Sequence, residues 1–275
     1  MTVLARTRAD LIAARDAMTE PVGLVPTMGA LHDGHAALIT AARETCASVL
    51  VTIFVNPMQF GANEDLATYP RTLEDDLARC KELGVDVVWA PSVADVYPGG
   101  AAQITVDPGP LGQVLEGASR PTHFAGVLTV VAKFFSLVRP AVGFFGEKDY
   151  QQLALITRMT GDLDLGVGVG GVPTVREPDG LALSSRNLYL SAGERQQALA
   201  LSRALFAGRD AAADGVLAVI STAAAVLAAT PGVVVDYLEL RGADLGEIPE
   251  HGWARLLVAA RVGGTRLIDN VAVQL

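Results

Sequence analysis

Short apolar runs rich in Val, Ile and Phe alternate with longer amphipathic stretches from residue 21 to about residue 175. Strands buried on both faces read as such runs, and helices laid over them carry apolar positions three and four apart, so the alternation predicts a parallel sheet wrapped by helices. Strands are expected at 22–25, 49–55, 85–89, 142–145 and 167–175. Between the first two, HDGHAALITAARET predicts a helix with Asp33 as N-cap, because its side chain can accept an orphaned amide of the first turn. A further helix is expected after Thr72, where TLED has capping-box spacing. The first eighteen residues, MTVLARTRADLIAARDAM, also mix charged and apolar positions at helical spacing.

The pattern changes at REPDG, residues 176–180, where Pro178 and Gly180 favour a turn. This stretch marks the expected boundary between a domain at 1–175 and a smaller one at 176–275. SAGE at 191–194 is a second capping-box match and opens an Ala- and Leu-rich helical pattern to Phe206, followed by a helix at about 214–229. Three strands, 233–240, 255–261 and 265–273, then follow with short Gly-containing links. Helices followed by consecutive strands imply an α+β domain with an antiparallel sheet.

Composition narrows the class. With 51% hydrophobic and 19% charged residues among 275, the chain is a compact globular protein with a large core. A net charge of −9 opposes broad attraction to nucleic acid, which relies on clustered Lys and Arg, although one anionic small molecule remains admissible. Cys46 and Cys80 show no CxxC spacing, so two reduced thiols and a cytoplasmic location are expected. The two most apolar stretches, FAGVLTVVAKFFSLV and VLAVISTAAAVLAAT, are interrupted by Lys133 and ended by Pro231, short of a membrane span, and the N-terminus lacks a secretion-signal core.

In an open parallel sheet, ligands bind beyond the carboxyl ends of the strands. The first predicted strand runs into PTMGALHDGH, the second into NPMQF, the fourth into GEKDYQQ and the fifth toward LALSSRN. His32 and His35, with Gly29 and Gly34 beside them, stand where strand gives way to helix. Free amides and the positive end of the helix dipole favour phosphate there, and imidazoles donate to phosphoryl oxygens. The alternative is a capped turn with incidental histidines; two histidines alone lack the further ligands of a zinc motif. Lys148, flanked by Glu147 and Asp149, suits charge stabilisation on a transferring phosphoryl group, or is a solvated charge run. Ser184, Ser185 and Arg186 suit a polyphosphate, or are turn residues. Asn56, Gln59 and Gln152 are neutral amides able to read a hydroxyl and a carboxylate, or surface amides. Asp75 and Asp76 could share a divalent cation, but their place near a helix start favours dipole stabilisation. P-loop and GxSxG patterns are missing, and no GxGxxG opens a helix after the first strand; GVGVGG at 166–171 is glycine-rich but reads as an apolar strand.

Taken in order, VPTMGALHDGH, IFVNPMQFGANEDLATYPRT, RPTHFAGV, FFGEKDYQQL, VREPDGLALSSRN, VDYLELR and LLVAARVGGTRLIDN resemble the pantothenate synthetase (pantoate–beta-alanine ligase) family over nearly the whole chain. The resemblance implies a Rossmann-like, doubly wound nucleotidyltransferase domain and a smaller C-terminal α+β domain closing over the site, in a homodimer. It assigns ATP to Met28, Gly29, Ala30, Leu31, His32, Asp33, Gly34 and His35, with Gly146, Glu147, Lys148, Asp149, Val175, Leu183, Ser184, Ser185 and Arg186. His35, His32 and Lys148 are its catalytic candidates. Gln59 and Gln152 would hold pantoate, Gln59 would also border the access path of β-alanine, and Asn56 is a further candidate. Mg²⁺ would accompany ATP, with Asp76 as its protein-ligand candidate. Leu183 stands where a methionine is common, a change of little consequence for backbone contacts. His123 of RPTHFAGV is expected to be a buried structural histidine.

The implied reaction begins with attack of a pantoate carboxylate on the α-phosphorus of ATP, releasing pyrophosphate and leaving a pantoyl adenylate. The β-alanine amine then displaces AMP. Class I aminoacyl-tRNA synthetases form similar adenylates, but a short, acidic chain suits tRNA poorly. A noncatalytic nucleotide-binding module would not need both histidines and the lysine.

Overall fold

The computed structural model describes residues 1–61, 64 and 66–275. Ala62, Asn63 and Asp65, which belong to the GANEDLATYP part of the family stretch, lie outside the described residues. The chain divides into two compact units: Met1–Gly146 with Gln152–Val172, and Glu147–Gln151 with Pro173–Leu275.

The first unit contains β1 (Val3–Ala5), α1 (Arg8–Asp16), β2 (Val22–Thr27), α2 (Asp33–Thr45), β3 (Ser48–Ile53), α3 (Leu73–Glu82), β4 (Val87–Trp89), α4 (Val93–Val96), α5 (Glu116–Ser119), α6 (His123–Val138), β5 (Val142–Gly146), most of α7 (Tyr150–Asp162) and β6 (Gly168–Val172). All six strands pair in parallel in the order β1-β4-β3-β2-β5-β6. The five strands expected from apolar runs are present. The additional β1 is only three residues long and pairs Val3 with Val87, a contact no local pattern announces. Strand order reverses between β2 and β5, so their carboxyl ends flank the topological switch point, where open α/β sheets bind ligands.

Both sheet faces are covered, as parallel sheets require. On one side Leu24, Leu50 and Trp89 pack with Phe134, Phe135 and Ile156; on the other Val25, Val49 and Val51 pack with Ile39, Ala42 and Cys80. Burial pushes the Cys80 thiol up to about 12. Helix α6 is almost wholly enclosed, which explains the apolar stretch containing Lys133. Among the described residues no helix is long and apolar enough to cross a membrane.

Two expected caps differ from the structure. Helix α2 begins at Asp33, and its N-cap is His32, not Asp33; the Asp33 carboxylate instead pairs with Arg79 of α3. Thr72 precedes α3 without capping it, and its hydroxyl donates to Asp76 Oδ2 at 3.3 Å.

The second unit contains α8 (Ala192–Asp210), α9 (Val216–Ala228) and an antiparallel sheet β7 (Val233–Gly242), β8 (Trp253–Val262) and β9 (Thr265–Gln274), in that order. The capping box at Ser191 and Glu194 starts α8 as expected. Leu201, Leu205, Val219 and Ala223 pack with Leu256, Val258 and Val273. Gly208 allows α8 close to α9: a Cβ there would stand 2.8 Å from the Val219 carbonyl oxygen.

Candidate active site

The turn after β2 is held by a carboxylate from a distant helix. Gly29 has φ +84° and Ala30 φ +50°, a pair of left-handed residues that aims successive amides at one point. Asp76, 2% exposed, occupies that point: its Oδ2 accepts from Ala30 N at 3.0 Å and its Oδ1 from Leu31 N at 2.7 Å. At Gly29 a Cβ would stand 2.9 Å from Asp76 Oδ2, so the glycine is needed for both φ and space. For Ala30 the left-handed conformation costs about 1 kcal/mol, which the clasp offsets. Asp76 thus has partners other than the divalent cation considered from sequence.

From this turn the chain enters α2 through two histidines. His32 Nδ1 accepts from Gly34 N at 3.1 Å, and His35 Nδ1 accepts from His32 N at 3.2 Å, a reciprocal capping box built from imidazoles. The rings stack with centroids 4.1 Å apart. Each Nδ1 uses its lone pair on a backbone donor, so the proton of each neutral ring sits on Nε2. The rings therefore serve as caps, and a capped turn is compatible with the phosphate reading of the sequence.

Beyond β3, Asn56 caps a short 3-10 turn, Pro57–Gln59. It is 1% exposed and its amide is fully engaged: Oδ1 accepts from Met58 N at 3.3 Å and Tyr97 Oη at 2.9 Å, while Nδ2 donates to Gly126 O at 3.1 Å and Gln59 Oε1 at 3.3 Å. Asn56, a candidate substrate contact from sequence, makes all four of these bonds inside the protein. Gly126 of α6 is required here, because a Cβ would lie 2.2 Å from Met58 O. Gln59 Nε2 donates to Met28 Sδ at 2.9 Å. The Gln59 carbonyl receives His123 Nδ1 at 2.9 Å and Arg120 at 3.4 Å, which gives His123 the buried structural place expected of it. Arg120 also grips Glu64 through both carboxylate oxygens and holds its pKa below the usual carboxylate value, against the opposing effect of burial. Gln152 is half-buried in the first turn of α7.

In the second unit, Glu147–Asp149 forms a 3-10 turn directly after β5. Asn270 of β9 donates through Nδ2 to the Glu147 and Lys148 carbonyls, both at 2.9 Å, and Arg255 of β8 binds Glu147 Oε2 at 3.0 Å while stacking 3.7 Å from the Tyr150 ring centroid. The Lys148 ammonium stands 3.8 Å from Asp149 Oδ2, in ion-pair range but beyond hydrogen-bond length. Sequence reading missed Arg255 and Asn270; their signal is a polar side chain buried within a strand, Arg255 between apolar neighbours in β8 and Asn270 next to the equally buried Asp269 in β9.

The loop bearing the serines is braced from its own unit. Arg176 makes a two-bond pair with Asp269 at 2.7 and 2.9 Å, and its backbone bridges Ala182. Leu183 N donates to Val175 O at 2.9 Å. Asn187 donates to Glu177 and Ala182, and Arg195 binds Glu177 and Asp179. Ser184 caps the turn Ser185–Tyr189 by accepting from Arg186 N at 3.3 Å, so its oxygen already serves the turn; Ser185 and Arg186 are half-buried. Among the described residues no group of three or more His, Cys, Asp or Glu could hold a metal ion.

The sequence model of the Pantoate-beta-alanine ligase family matches residues 2–272. Curated relatives named pantothenate synthetase include one from Nocardioides sp., 59% identical over 99% of this chain and 86% of its own length, and one from Salinispora arenicola, 59% identical over 100% and 99%. A solved pantothenate synthetase from Thermus thermophilus superposes with a TM-score of 0.92 at 48% identity, covering 98% of each chain. A pantoate-beta-alanine ligase from Francisella tularensis, solved with beta-gamma ATP and beta-alanine, gives a TM-score of 0.82 at 33% identity over 98% of this chain and 97% of its own. With the family pattern running through nearly every element described above, this chain belongs to the pantoate–beta-alanine ligase family.

Proposed function

We propose that the chain condenses pantoate with β-alanine, using ATP, to give pantothenate, AMP and pyrophosphate. Family membership across residues 2–272 carries the reading, and the imidazole capping box at the carboxyl end of β2 supplies its chemical sense. That capping geometry leaves each neutral ring with a donor Nε2–H, suited to phosphoryl oxygens.

In the first step a pantoate carboxylate oxygen attacks the α-phosphorus and the bond to pyrophosphate breaks. Negative charge grows on the leaving oxygens, and we assign its stabilisation to His32, His35 and Lys148, with Ser185 and Arg186 on the polyphosphate. Met28, Gly29, Gly34, Gly146, Asp149, Val175 and Leu183 are assigned to nucleotide contact through shape and backbone. In the second step the neutral β-alanine amine attacks the acyl carbon of the adenylate, the bond to AMP breaks, and the nitrogen sheds a proton. Gln59 and Gln152 are assigned to pantoate. Exclusion of water protects the mixed anhydride during its lifetime.

Mg²⁺ would enter with the nucleotide on phosphate oxygens, since the described residues offer no protein cage and Asp76 is engaged by two amides. We place the enzyme in the cytoplasm as a homodimer, in keeping with the two thiols and the family. The test is direct: ATP, Mg²⁺ and pantoate alone should give pyrophosphate and a trapped adenylate, with AMP released only on adding β-alanine. Failure to form pantothenate with all substrates present overturns the assignment.

A further inference from the structure

Gln59 can assist a substrate only if its amide is the right way round, and the anchoring of its main chain does not decide this. The Gln59 main chain is pinned by His123 and Arg120 at its carbonyl, but the side-chain amide has two near-isosteric orientations. One presents a donor beside Met28 and the other an acceptor. What decides between them lies three residues away, at Asn56.

Asn56 cannot turn over. Its Oδ1 faces two donors, the Met58 amide and the Tyr97 hydroxyl, and its Nδ2 faces the Gly126 carbonyl. Reversal would oppose donor to donor and oxygen to oxygen at a site 1% exposed. With Asn56 fixed, its second N–H presents to Gln59, which must answer with Oε1, so the Gln59 NH₂ is driven to the far side, against Met28 Sδ. Of the two bonds that Asn56 Oδ1 accepts, the one from Tyr97 is the shorter, 2.9 Å against 3.3 Å from Met58.

We propose that Tyr97 is a positioning residue for the condensation, acting through Asn56 to hold Gln59 with its NH₂ toward the oxygen-rich acid substrate. Tyr97 itself is buried in the first unit, 4% exposed, beside Phe54 and Lys133, and its hydroxyl is given to Asn56. Burial pushes its hydroxyl up to about 12, which keeps it a donor at every working pH. The inference rests on the assigned reaction and on Gln59 as a pantoate contact.

The test is Tyr97→Phe, which keeps the ring and removes only the donor. One neutral hydrogen bond of about 1 kcal/mol corresponds to roughly a five-fold change in an equilibrium. We expect KM for pantoate to rise by about that factor, with KM for ATP and kcat within about two-fold of the parent. In a Gln59→Ala background, Tyr97→Phe should add nothing further. Asn56→Asp, which retains the oxygen facing Tyr97 and Met58 but turns an oxygen on Gln59, should raise KM for pantoate more than Tyr97→Phe does. Independent, multiplying effects of Tyr97→Phe and Gln59→Ala would overturn the proposal, as would an unchanged pantoate KM in Tyr97→Phe. Should Tyr97→Phe fold poorly, Asn56→Asp carries the test, and a parental pantoate KM in that variant is equally decisive. A parent enzyme that makes no pantothenate defeats the assigned reaction instead, so the two failures are distinguishable.

Discussion

Replacing Asp76 by alanine should release the turn that leads into the histidines. The carboxylate accepts the Ala30 and Leu31 amides at 3.0 and 2.7 Å and a Thr72 hydroxyl at 3.3 Å, at a position 2% exposed. A buried donor left without an acceptor costs about 1–3 kcal/mol, and bonds to a charged acceptor lie at the upper end. Ala30 and Leu31 are only half-buried, so water recovers part of the loss, and relief of the buried charge recovers more. The remaining destabilisation is about 3 kcal/mol, equivalent to a drop of roughly 6–12 °C in Tm for a unit of this size. Asp76→Asn keeps one acceptor oxygen and should fall between parent and Asp76→Ala. Scanning calorimetry reads the stability, and pyrophosphate release with ATP and pantoate reads adenylation, which should fall in both variants at temperatures where they are folded. A Tm for Asp76→Ala within about 2 °C of the parent would refute the clasp; adenylation restored by raising Mg²⁺ would return Asp76 to the metal-ligand role.

His32→Ala should cost about 1 kcal/mol of stability through loss of the cap, whereas His32→Asn, which restores a cap acceptor, should keep the parental Tm yet share the slow adenylation; matching rates for His32→Asn and parent would remove the ring from the chemistry. Lys148→Ala and His35→Ala should each slow pyrophosphate release far more than they lower Tm, and proportionate losses by calorimetry would make these residues structural. Because Arg120 lowers the Glu64 pKa from its ordinary value of 4.5, this pair stabilises the fold above that pH and the contribution is lost as pH falls through the depressed folded value. Thermal melts from neutral pH downward should therefore show the Arg120→Ala deficit shrinking below pH 4.5, and a deficit independent of pH would deny the linkage. Cys46 and Cys80 are both buried, so an aromatic disulfide reagent should label neither in native protein and both in guanidinium; rapid labelling of the native chain would contradict this packing.

Periodicity was sufficient for elements whose burial is encoded locally. The buried runs of β2, β3 and β5 and the capped start of α8 are legible because each buries a face whose spacing is visible within about ten residues. Strand β1 is too short for that, and its identity comes from pairing with a distant part of the chain, Val3 with Val87. At the candidate site, sequence located the polar segments after the strands but not the partners of individual side chains. Histidine is an uncommon N-cap, so the preference rules selected Asp33, while the geometry uses His32. Local rules likewise gave Asp76 to its own helix, whereas its partners, Ala30 and Leu31, arrive from 46 and 45 residues away. Asn56 looks like a ligand by residue type; only the convergence of Tyr97 and Gly126 reveals that its hydrogen bonds are already made.

Adjacent residues of β9 do unlike work: Asp269 ties down the segment at Arg176, and its neighbour Asn270 ties down the turn carrying Lys148. Successive strand residues point to opposite faces, so this division of labour depends on the phase of a single strand. One residue lost from the tight link between Val262 and Thr265 would send both anchors the wrong way together. The far end of the polypeptide therefore keeps two widely separated loops in step, and length changes in that hairpin should be tolerated only in pairs.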